Sequence, residues 1–551
     1  MKVVIVGGVA GGATAAARIR RLDERAEIVV FERSGHISYA NCGLPYYIGD
    51  VIKDAKSLIL KTPESFFKKD KIDVKIHHEV TSINRDTKTV SVKNLNTGET
   101  FEEAYDKLIL SPGAKAVEPN VPGVNLDKIF TLRTVEDTLQ IKKFITENNP
   151  KSVVLAGGGF ISLELAENLR NSGIDVTIVQ RPKQLMNPFD SDMASMIHHE
   201  VKKHGVKLCL GHTVEGFKET EKGIEVLLRD RESLYADFVV MAIGVVPDSA
   251  LAKDAGLRLG IKDSIVVNDR METSDSDIYA AGDAVQVKHF VSGEDSVIAL
   301  AGPANKQGHI IAENICGGDS RYDGTQGSSI VKVFDLTAAS TGLNEKTARS
   351  LGFDIEKVIV SPLNHAGYYP GGSSMTIKVI FEKTTNRLLG AQIVGADGVD
   401  KRIDVIGVAI RAGLKATDLK DLELAYSPPY SSAKDPVNVV GYMIENVAKG
   451  IVKQWYIEDE SDLPRDGSVI LLDVRTPQEF EKGHLDGFIN IPLDEIRNRL
   501  DEINKDKTVY LICQNGTRSY TASRILEGYG YETYNFAGGF RFYKMIMNDE
   551  K

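Results

Sequence analysis

Lys2-Val3-Val4-Ile5-Val6-Gly7-Gly8-Val9-Ala10-Gly11-Gly12 decides how this chain folds. Residues 2–6 form a short apolar β run that ends in a glycine turn, and Ala13-Thr14-Ala15-Ala16-Ala17-Arg18 continues as a helix former. A second β run, Glu27-Ile28-Val29-Val30-Phe31, ends at Glu32, 20 residues after Gly12. Strand, glycine turn, helix, strand and acid make up a dinucleotide-binding unit. The glycines let a pyrophosphate approach the helix N-terminus, and the carboxylate accepts from ribose hydroxyls. Gly7, Gly8, Gly11, Gly12 and Glu32 are therefore cofactor-binding candidates. Val9 departs from the pattern, standing where the middle glycine of G-x-G-x-x-G belongs.

The pattern returns at Ser152-Val153-Val154-Leu155-Ala156-Gly157-Gly158-Gly159, followed by a helix and the strand Asp175-Val176-Thr177-Ile178-Val179. Gly157 and Gly159 are its cofactor candidates. This strand ends in Gln180-Arg181, without a carboxylate. A terminal acid favours NAD, whereas a nearby arginine accommodates the 2′-phosphate of NADP, so Arg181 leaves NADPH and NADH both open. Two such units in one chain imply a bound flavin and an exchanging nicotinamide. A third piece, Ile278-Tyr279-Ala280-Ala281-Gly282-Asp283-Ala284, brings Asp283 to a glycine turn, where its carboxylate can accept from a polyol.

The bulk properties narrow the class. A chain of 551 residues is too long for one core. Its net charge of −10 argues against general nucleic-acid binding. No signal peptide and no apolar run long enough to span a bilayer is evident, so neither nucleic acid nor membrane is an expected partner. The four cysteines, Cys42, Cys209, Cys316 and Cys513, are far apart and include no CxxC. That excludes a disulfide framework, fits a reducing cytoplasm, and leaves no clustered metal site. Cys209 and Cys316 read as packing residues.

Cys42 lies in Ser38-Tyr39-Ala40-Asn41-Cys42-Gly43-Leu44-Pro45-Tyr46-Tyr47. Gly43 permits close approach, and Pro45 can open a short helix. A thiolate at a helix N-terminus is stabilised by the dipole, which predicts a pKa below the usual ~8.5.

The two glycine motifs, Leu110-Ser111-Pro112-Gly113-Ala114, Ala242-Ile243-Gly244-Val245-Val246-Pro247 and the Gly282-Asp283 turn together resemble the FAD-dependent pyridine nucleotide-disulfide reductases over roughly residues 1–445. The resemblance implies an α/β fold of two Rossmann-like domains, with the NAD(P)H-binding domain (115–245) inserted in the FAD-binding domain (1–114 and 246–324). It also implies that Glu32 meets the adenosine ribose of FAD, Asp283 its ribityl chain, and Gly113 the cofactor turn. Most members carry a CxxxxC pair. Asn41-Cys42-Gly43-Leu44-Pro45-Tyr46 instead resembles the single-cysteine branch, above all the coenzyme A-disulfide reductases. Residues 325–445 then correspond to an α+β dimerisation domain of a homodimer. By this resemblance Tyr368 and Tyr426 reach the partner's active cysteine, although interface packing alone would also account for a tyrosine. Thr14, Arg18, Arg21, Ser38, Asn41, Lys71, Asn305 and Lys434 fall at or near coenzyme A contacts.

Residues 446–465, with an acidic run Glu458-Asp459-Glu460, read as a solvated linker. Beyond it (466–551), an apolar strand ends at Cys513, followed by a polar loop and a helix, an arrangement that cups an anion in backbone N–H groups. Val469 to Arg475, Gly483-His484-Leu485-Asp486-Gly487, Cys513 to Ser519 and Gly538-Gly539-Phe540 resemble an α/β rhodanese domain. Cys513 would carry sulfur and Arg518 would bind substrate. Gln514 replaces a basic residue common in thiosulfate-using rhodaneses, which favours a persulfide donor.

The expected activity is NAD(P)H- and FAD-dependent reduction of coenzyme A disulfide, coenzyme A persulfide or polysulfide through Cys42, coupled to sulfur transfer at Cys513. The alternatives are a peroxidase or oxidase cycling Cys42 through sulfenic acid, or a flavin-containing redox sensor or sulfur relay with little turnover.

Overall fold

Val3, Val4 and Ile5 are fully buried, as a strand must be when helices cover both faces of a parallel sheet. The computed structural model describes residues 1–550. It divides into two units, Met1–Lys183 with Gly205–Gly327, and Gln184–His204 with Ser328–Lys551.

In the first unit, Lys2–Val6 is the middle strand of a parallel sheet ordered Ile278–Ala280, Lys107–Leu110, Lys2–Val6, Glu27–Glu32 and Asp73–Ile76. A second parallel sheet is ordered Lys207–Leu210, Asp175–Gln180, Ser152–Ala156, Phe238–Met241 and Ile129–Thr131. All strands of the second sheet fall in sequence between Lys107–Leu110 and Ile278–Ala280 of the first, the inserted arrangement that the family resemblance implies. The helix Ala10–Leu22 packs on the helix Ala301–Ile315. Their backbones approach so closely that a Cβ on Gly308 would lie 2.4 Å from the Gly11 carbonyl oxygen.

The second unit contains an antiparallel sheet ordered Ser329–Val333, Leu336–Gly342, Leu388–Gly395, Met375–Glu382 and Ile355–Val360. The helix Val399–Arg411 packs against it. A parallel sheet follows, ordered Gln454–Trp455, Thr533–Phe536, Val509–Ile512, Ile470–Asp473 and Ile489–Asn490. The helix Ser191–Lys203 clusters with this unit although it lies within residues 115–245 of the sequence.

The expectation of a solvated linker over 446–465 is corrected by the structure. Gln454–Trp455 pairs with Asn535 and Phe536 as an edge strand of the last sheet. Trp455 is 1% exposed, its Nε1 donates to the Leu511 carbonyl at 3.1 Å, and its ring lies 4.4 Å from that of Phe536. The large apolar area of an indole outweighs the adjacent acidic run, in which Glu458 and Asp459, on the short helical turn Ile457–Asp462, stay exposed.

A buried charge cluster ties the second unit together. Lys378, 2% exposed, places its ammonium 3.0 Å from Asp190, 2.9 Å from Asp192 and 2.9 Å from Glu345. Burial would raise the Glu345 carboxyl, but Lys378 and Lys357 hold it down to about 2. Among the described residues, no helix is long and apolar enough to cross a membrane.

Removing the ammonium leaves three carboxylates facing one another without it. Lys378→Met is expected to destabilise the second unit by about 3–5 kcal/mol, read as a lower midpoint of urea unfolding.

Candidate active site

The first glycine turn leaves no space for side chains. Gly7 has φ +96°, and a Cβ there would lie 2.1 Å from the Ser111 carbonyl oxygen; one on Gly12 would lie 1.9 Å from that of Gly7. The turn thus passes directly over the end of the neighbouring strand, with the Gly7 amide donating to the Phe31 carbonyl at 2.9 Å. Glu32 is buried at the end of its strand, where its two oxygens accept from the amides of Gly8 and Ser34, each at 2.9 Å. A carboxylate keeps further lone pairs for ribose hydroxyls. Asp283 stands half-buried on the turn Gly282–Ala284, 3.3 Å from Arg133, and the Gly282 amide donates to Gln307 at 2.7 Å. At Gly113 (φ +74°) a Cβ would meet nothing within 4 Å, so the backbone there borders open space. Glycine turn, a strand-end carboxylate with lone pairs to spare and a second carboxylate at the far strand form a donor and acceptor set that fits FAD.

In the second turn, Gly157 has φ +118° and would place a Cβ 2.1 Å from the Ala242 carbonyl oxygen. Gly159 precedes the helix Phe160–Asn171 and borders open space, the place a nicotinamide dinucleotide's pyrophosphate requires. Arg181 is exposed just past the strand Asp175–Gln180.

Cys42 lies in the turn Asn41–Gly43, immediately before the five-residue helix Leu44–Ile48. The residue is exposed, yet the surrounding protein desolvates its sulfur. That burial, then the carboxylates of Glu164 and Asp283, push the thiol up, with Arg133 opposing. The depressed pKa expected from a helix dipole is therefore corrected. A helix of five residues is short, and burial, reinforced by the two carboxylates, outweighs it. One turn beyond Cys42, the Tyr46 hydroxyl donates to Glu164 at 3.3 Å. Burial raises Glu164 to about 7, against the Tyr46 hydrogen bond and with help from Glu167.

The candidate coenzyme A residues of this unit gather on the helix Ala10–Leu22 and around it. Thr14 donates to Asn305 at 2.6 Å, and Arg18 is paired with Glu313, its Nε donating at 2.9 Å. Arg21 is exposed one turn on. Ser38 adopts φ 44°, its amide donating to the Gly8 carbonyl, which ties the cysteine-bearing stretch to the first glycine turn. Asn41 is exposed beside Cys42. Lys71 ends the helix Pro63–Asp70 with φ 49°, its ammonium 5.2 Å from the Phe67 ring centroid.

In the second unit, the hydroxyls of Tyr368 and Tyr426 share a hydrogen bond of 2.8 Å, and the side chains are exposed. The Lys434 ammonium lies 5.9 Å from the Tyr442 ring centroid.

Cys513 follows the strand Val509–Ile512 and precedes Gly516 (φ +90°) and the helix Thr517–Gly528. It is buried, with the Ser519 hydroxyl 3.2 Å from its sulfur. The loop is braced by Gly539, where a Cβ would lie 2.6 Å from the Gln514 carbonyl oxygen, and by the Phe540 amide donating to the Cys513 carbonyl at 2.8 Å. Arg518 forms a two-pronged pair with Glu479 at 2.6 and 2.7 Å, which holds the Glu479 carboxyl at about 2. The expected substrate-binding cation is thus already engaged. Arg475 is likewise paired with Asp473 and stacks on Phe540.

Cys209 is buried against Arg231, and burial pushes its thiol up; burial does the same for Cys316. Cys209 is a core residue and Cys316 packs against the core of the first unit, the packing roles expected from the sequence. Glu200, His204 and Asp335 lie within 4.8 Å of one another, but the Lys203 ammonium is 3.4 Å from Glu200 and 3.1 Å from Asp335, so the chain supplies the cation there itself.

Sequence reading missed Tyr46, Glu164, Arg133 and Glu479. The four-residue spacing from Cys42 to Tyr46 and the place of Glu164 in the second glycine motif were usable signals. Arg133 and Glu479 lie far from the residues they pair with and carried none.

Two dinucleotide turns, a cysteine beside the first and a second cysteine in a sulfur-cupping loop define a flavin- and nicotinamide-dependent sulfur oxidoreductase. The chain belongs to the pyridine nucleotide-disulphide oxidoreductase family, whose pattern matches residues 1–308, with the family's dimerisation domain over 328–436 and a rhodanese-like domain over 458–545. It is 40% identical over 442 residues to coenzyme A disulfide reductase of Staphylococcus aureus (strain bovine RF122 / ET3-1), covering 80% of this chain and 99% of that protein. The crystal structure of reduced Bacillus anthracis CoADR-RHD matches with a TM-score of 0.97 at 48% identity, over 100% of this chain and 98% of that one. An NAD-dependent persulfide reductase from A. fulgidus matches with a TM-score of 0.93 at 36% identity, over 98% and 100%.

Because the Glu164 carboxylate raises the Cys42 thiol, Glu164→Gln is expected to move the midpoint of the pH profile for Cys42 alkylation to lower pH. A midpoint unchanged or higher would contradict the electrostatic assignment.

Proposed function

We propose that the chain reduces coenzyme A disulfide and coenzyme A persulfide with NAD(P)H through Cys42, and that Cys513 carries sulfur for the same chemistry. One observation carries the reading: all four cysteines are free, and Cys42 is the exposed one, set beside the FAD-binding turn with no second cysteine to resolve it. The second thiol of the redox pair must then come from the substrate.

The Cys42 thiolate attacks one sulfur of coenzyme A disulfide, one coenzyme A leaves as thiolate, and a Cys42–coenzyme A mixed disulfide remains. With coenzyme A persulfide, attack on its inner sulfur expels sulfide and leaves the same mixed disulfide; with polysulfide, a shorter polysulfide leaves and a Cys42 persulfide remains. Gly7, Gly8, Gly11, Gly12, Glu32, Gly113, Gly282 and Asp283 would hold FAD, which when bound would relay an electron pair from NAD(P)H; Cys42 returns as thiolate and the second coenzyme A thiol, or the sulfide, is released. Gly157 and Gly159 receive the nicotinamide dinucleotide, and exposed Arg181 admits NADPH as well as NADH. Glu164, raised by burial to about 7 and accepting from Tyr46, can take up or release a proton near neutral pH, and its charge bears on the thiol.

Thr14, Arg18, Arg21, Ser38, Asn41, Lys71, Asn305 and Lys434 contact coenzyme A in this reading. Arg21 and Lys71 are exposed cations suited to its phosphates, whereas Arg18 is shared with Glu313. In a homodimer, the exposed hydroxyl pair of Tyr368 and Tyr426 faces Cys42 of the partner subunit and donates to the departing thiolate. The match to a dimerisation domain over 328–436 supports that assembly. Four free cysteines suit a reducing cytoplasm.

Anaerobic NAD(P)H oxidation by coenzyme A disulfide and by coenzyme A persulfide tests the reading. Cys42→Ser is expected to lose at least about 10³-fold in turnover with both acceptors, the scale of losing a covalent nucleophile. Cys513→Ser is expected to keep coenzyme A disulfide reduction and lose sulfur loading. Faster turnover with hydrogen peroxide than with either sulfur acceptor would overturn the proposal.

A further inference from the structure

A cavity of about 480 Å³ in the second unit lies against the Cys513 loop, walled by Gln514, Phe540, Arg475, Lys482, Arg541 and Lys544. That volume suits part of a small molecule. Its charge is strongly unbalanced once the ion pairs are removed. Arg475 is neutralised by Asp473, and Glu479, the acid of the wall, is neutralised by Arg518. Arg541, Lys482 and Lys544 remain.

Arg541 is the unusual member. Its backbone amide donates to the Gln514 carbonyl at 3.2 Å, yet among the described residues no acid or carbonyl meets its guanidinium. Burial alone pushes its pKa down. A half-buried guanidinium with its N–H donors unmet is costly unless something pairs with it, and its planar fork matches phosphate oxygens. Lys544 follows one turn along the helix Gly539–Glu550, so both charges line the same face. That helix is pinned near its end by Asp549, which pairs with buried His198 and, at 2.9 Å, with Lys202.

The placement of the cations indicates the ligand. A small donor such as thiosulfate carries its sulfonate one bond from the transferred sulfur, so its cations must surround the cysteine. Here Arg518, whose charge couples to Cys513, is paired with Glu479, and the cations without partners surround a cavity lined by Gln514 and Phe540 rather than by Cys513. Such a site recognises an anion set well apart from the reacting sulfur. Three cations that pair with no acid among the described residues suit a multivalent phosphate better than a single carboxylate.

We propose that this cavity binds the phosphate groups of the carrier thiol that exchanges sulfur with Cys513, with Arg541 as the main anchor. The proposal rests on Cys513 being a sulfur carrier. In that exchange the Cys513 thiolate attacks the terminal sulfur of the carrier persulfide. The carrier's S–S bond breaks, the carrier leaves as a thiolate, and a Cys513 persulfide forms with no net oxidation or reduction.

The test loads the full-length holoenzyme without NAD(P)H and follows the gain of one sulfur on the Cys513 peptide by mass spectrometry. Coenzyme A persulfide and pantetheine persulfide share the reacting end and differ in the phosphates. The wild type is expected to show a KM at least tenfold lower for the phosphate-bearing donor, and inorganic pyrophosphate should narrow that gap. Arg541→Gln should abolish most of the difference, Lys544→Gln should reduce it, and Arg541→Lys should restore part of it. Equal KM values in the wild type, or a ratio untouched by Arg541→Gln, would overturn the phosphate site while leaving the sulfur-carrier reading intact. No loading from either donor would overturn the sulfur-carrier reading and the site with it.

Discussion

The contact between Gly7 and the Ser111 carbonyl supports everything else in the first unit. With a Cβ on Gly7 only 2.1 Å from that oxygen, no other residue fits, and the chain can turn tightly over the strand ends only there. The turn sets the start of the helix Ala10–Leu22, whose close packing on Ala301–Ile315 again depends on glycine, and so places Thr14 and Arg18 opposite Asn305 and Glu313. It also anchors the stretch before Cys42, because the Ser38 amide binds the Gly8 carbonyl. The stretch that carries Cys42 is thus tied to the same backbone that makes the first glycine turn.

Charge pairing then decides which side chains are available for chemistry. Arg18 with Glu313, Arg133 with Asp283 and Arg518 with Glu479 are each engaged inside the chain. Around Cys42 the balance favours carboxylates, so the thiol sits higher than a short helix alone would place it. Around Cys513 the balance runs the other way: its neighbouring arginine is satisfied, and the cations without partners lie beside the loop. The two sulfur centres are therefore electrostatically distinct, which suits one to accepting electrons and the other to carrying sulfur.

Much of the fold was legible. The glycine turns, the acid at Glu32 and the Gly282-Asp283 turn are local patterns with local causes, and the strands and helices predicted around them are present. The linker expected over 446–465 failed because a run of acids was weighed above one tryptophan, whose burial against Phe536 depends on a strand some 80 residues later. The pairing of Arg518, expected to bind substrate, with Glu479 was invisible for the same kind of reason, since Glu479 lies 39 residues before it.

The sequence by itself determined the two dinucleotide turns, the single cysteine beside the first and the sulfur loop at Cys513, because each is a contiguous motif whose backbone conformation its own residues dictate. Only the tertiary structure decided the protonation environment of Cys42 and the state of each arginine. Those depend on carboxylates brought in from distant segments, Glu164 and Asp283 to Cys42 and Glu479 to Arg518, and electrostatic energy follows distance in space, not separation along the chain.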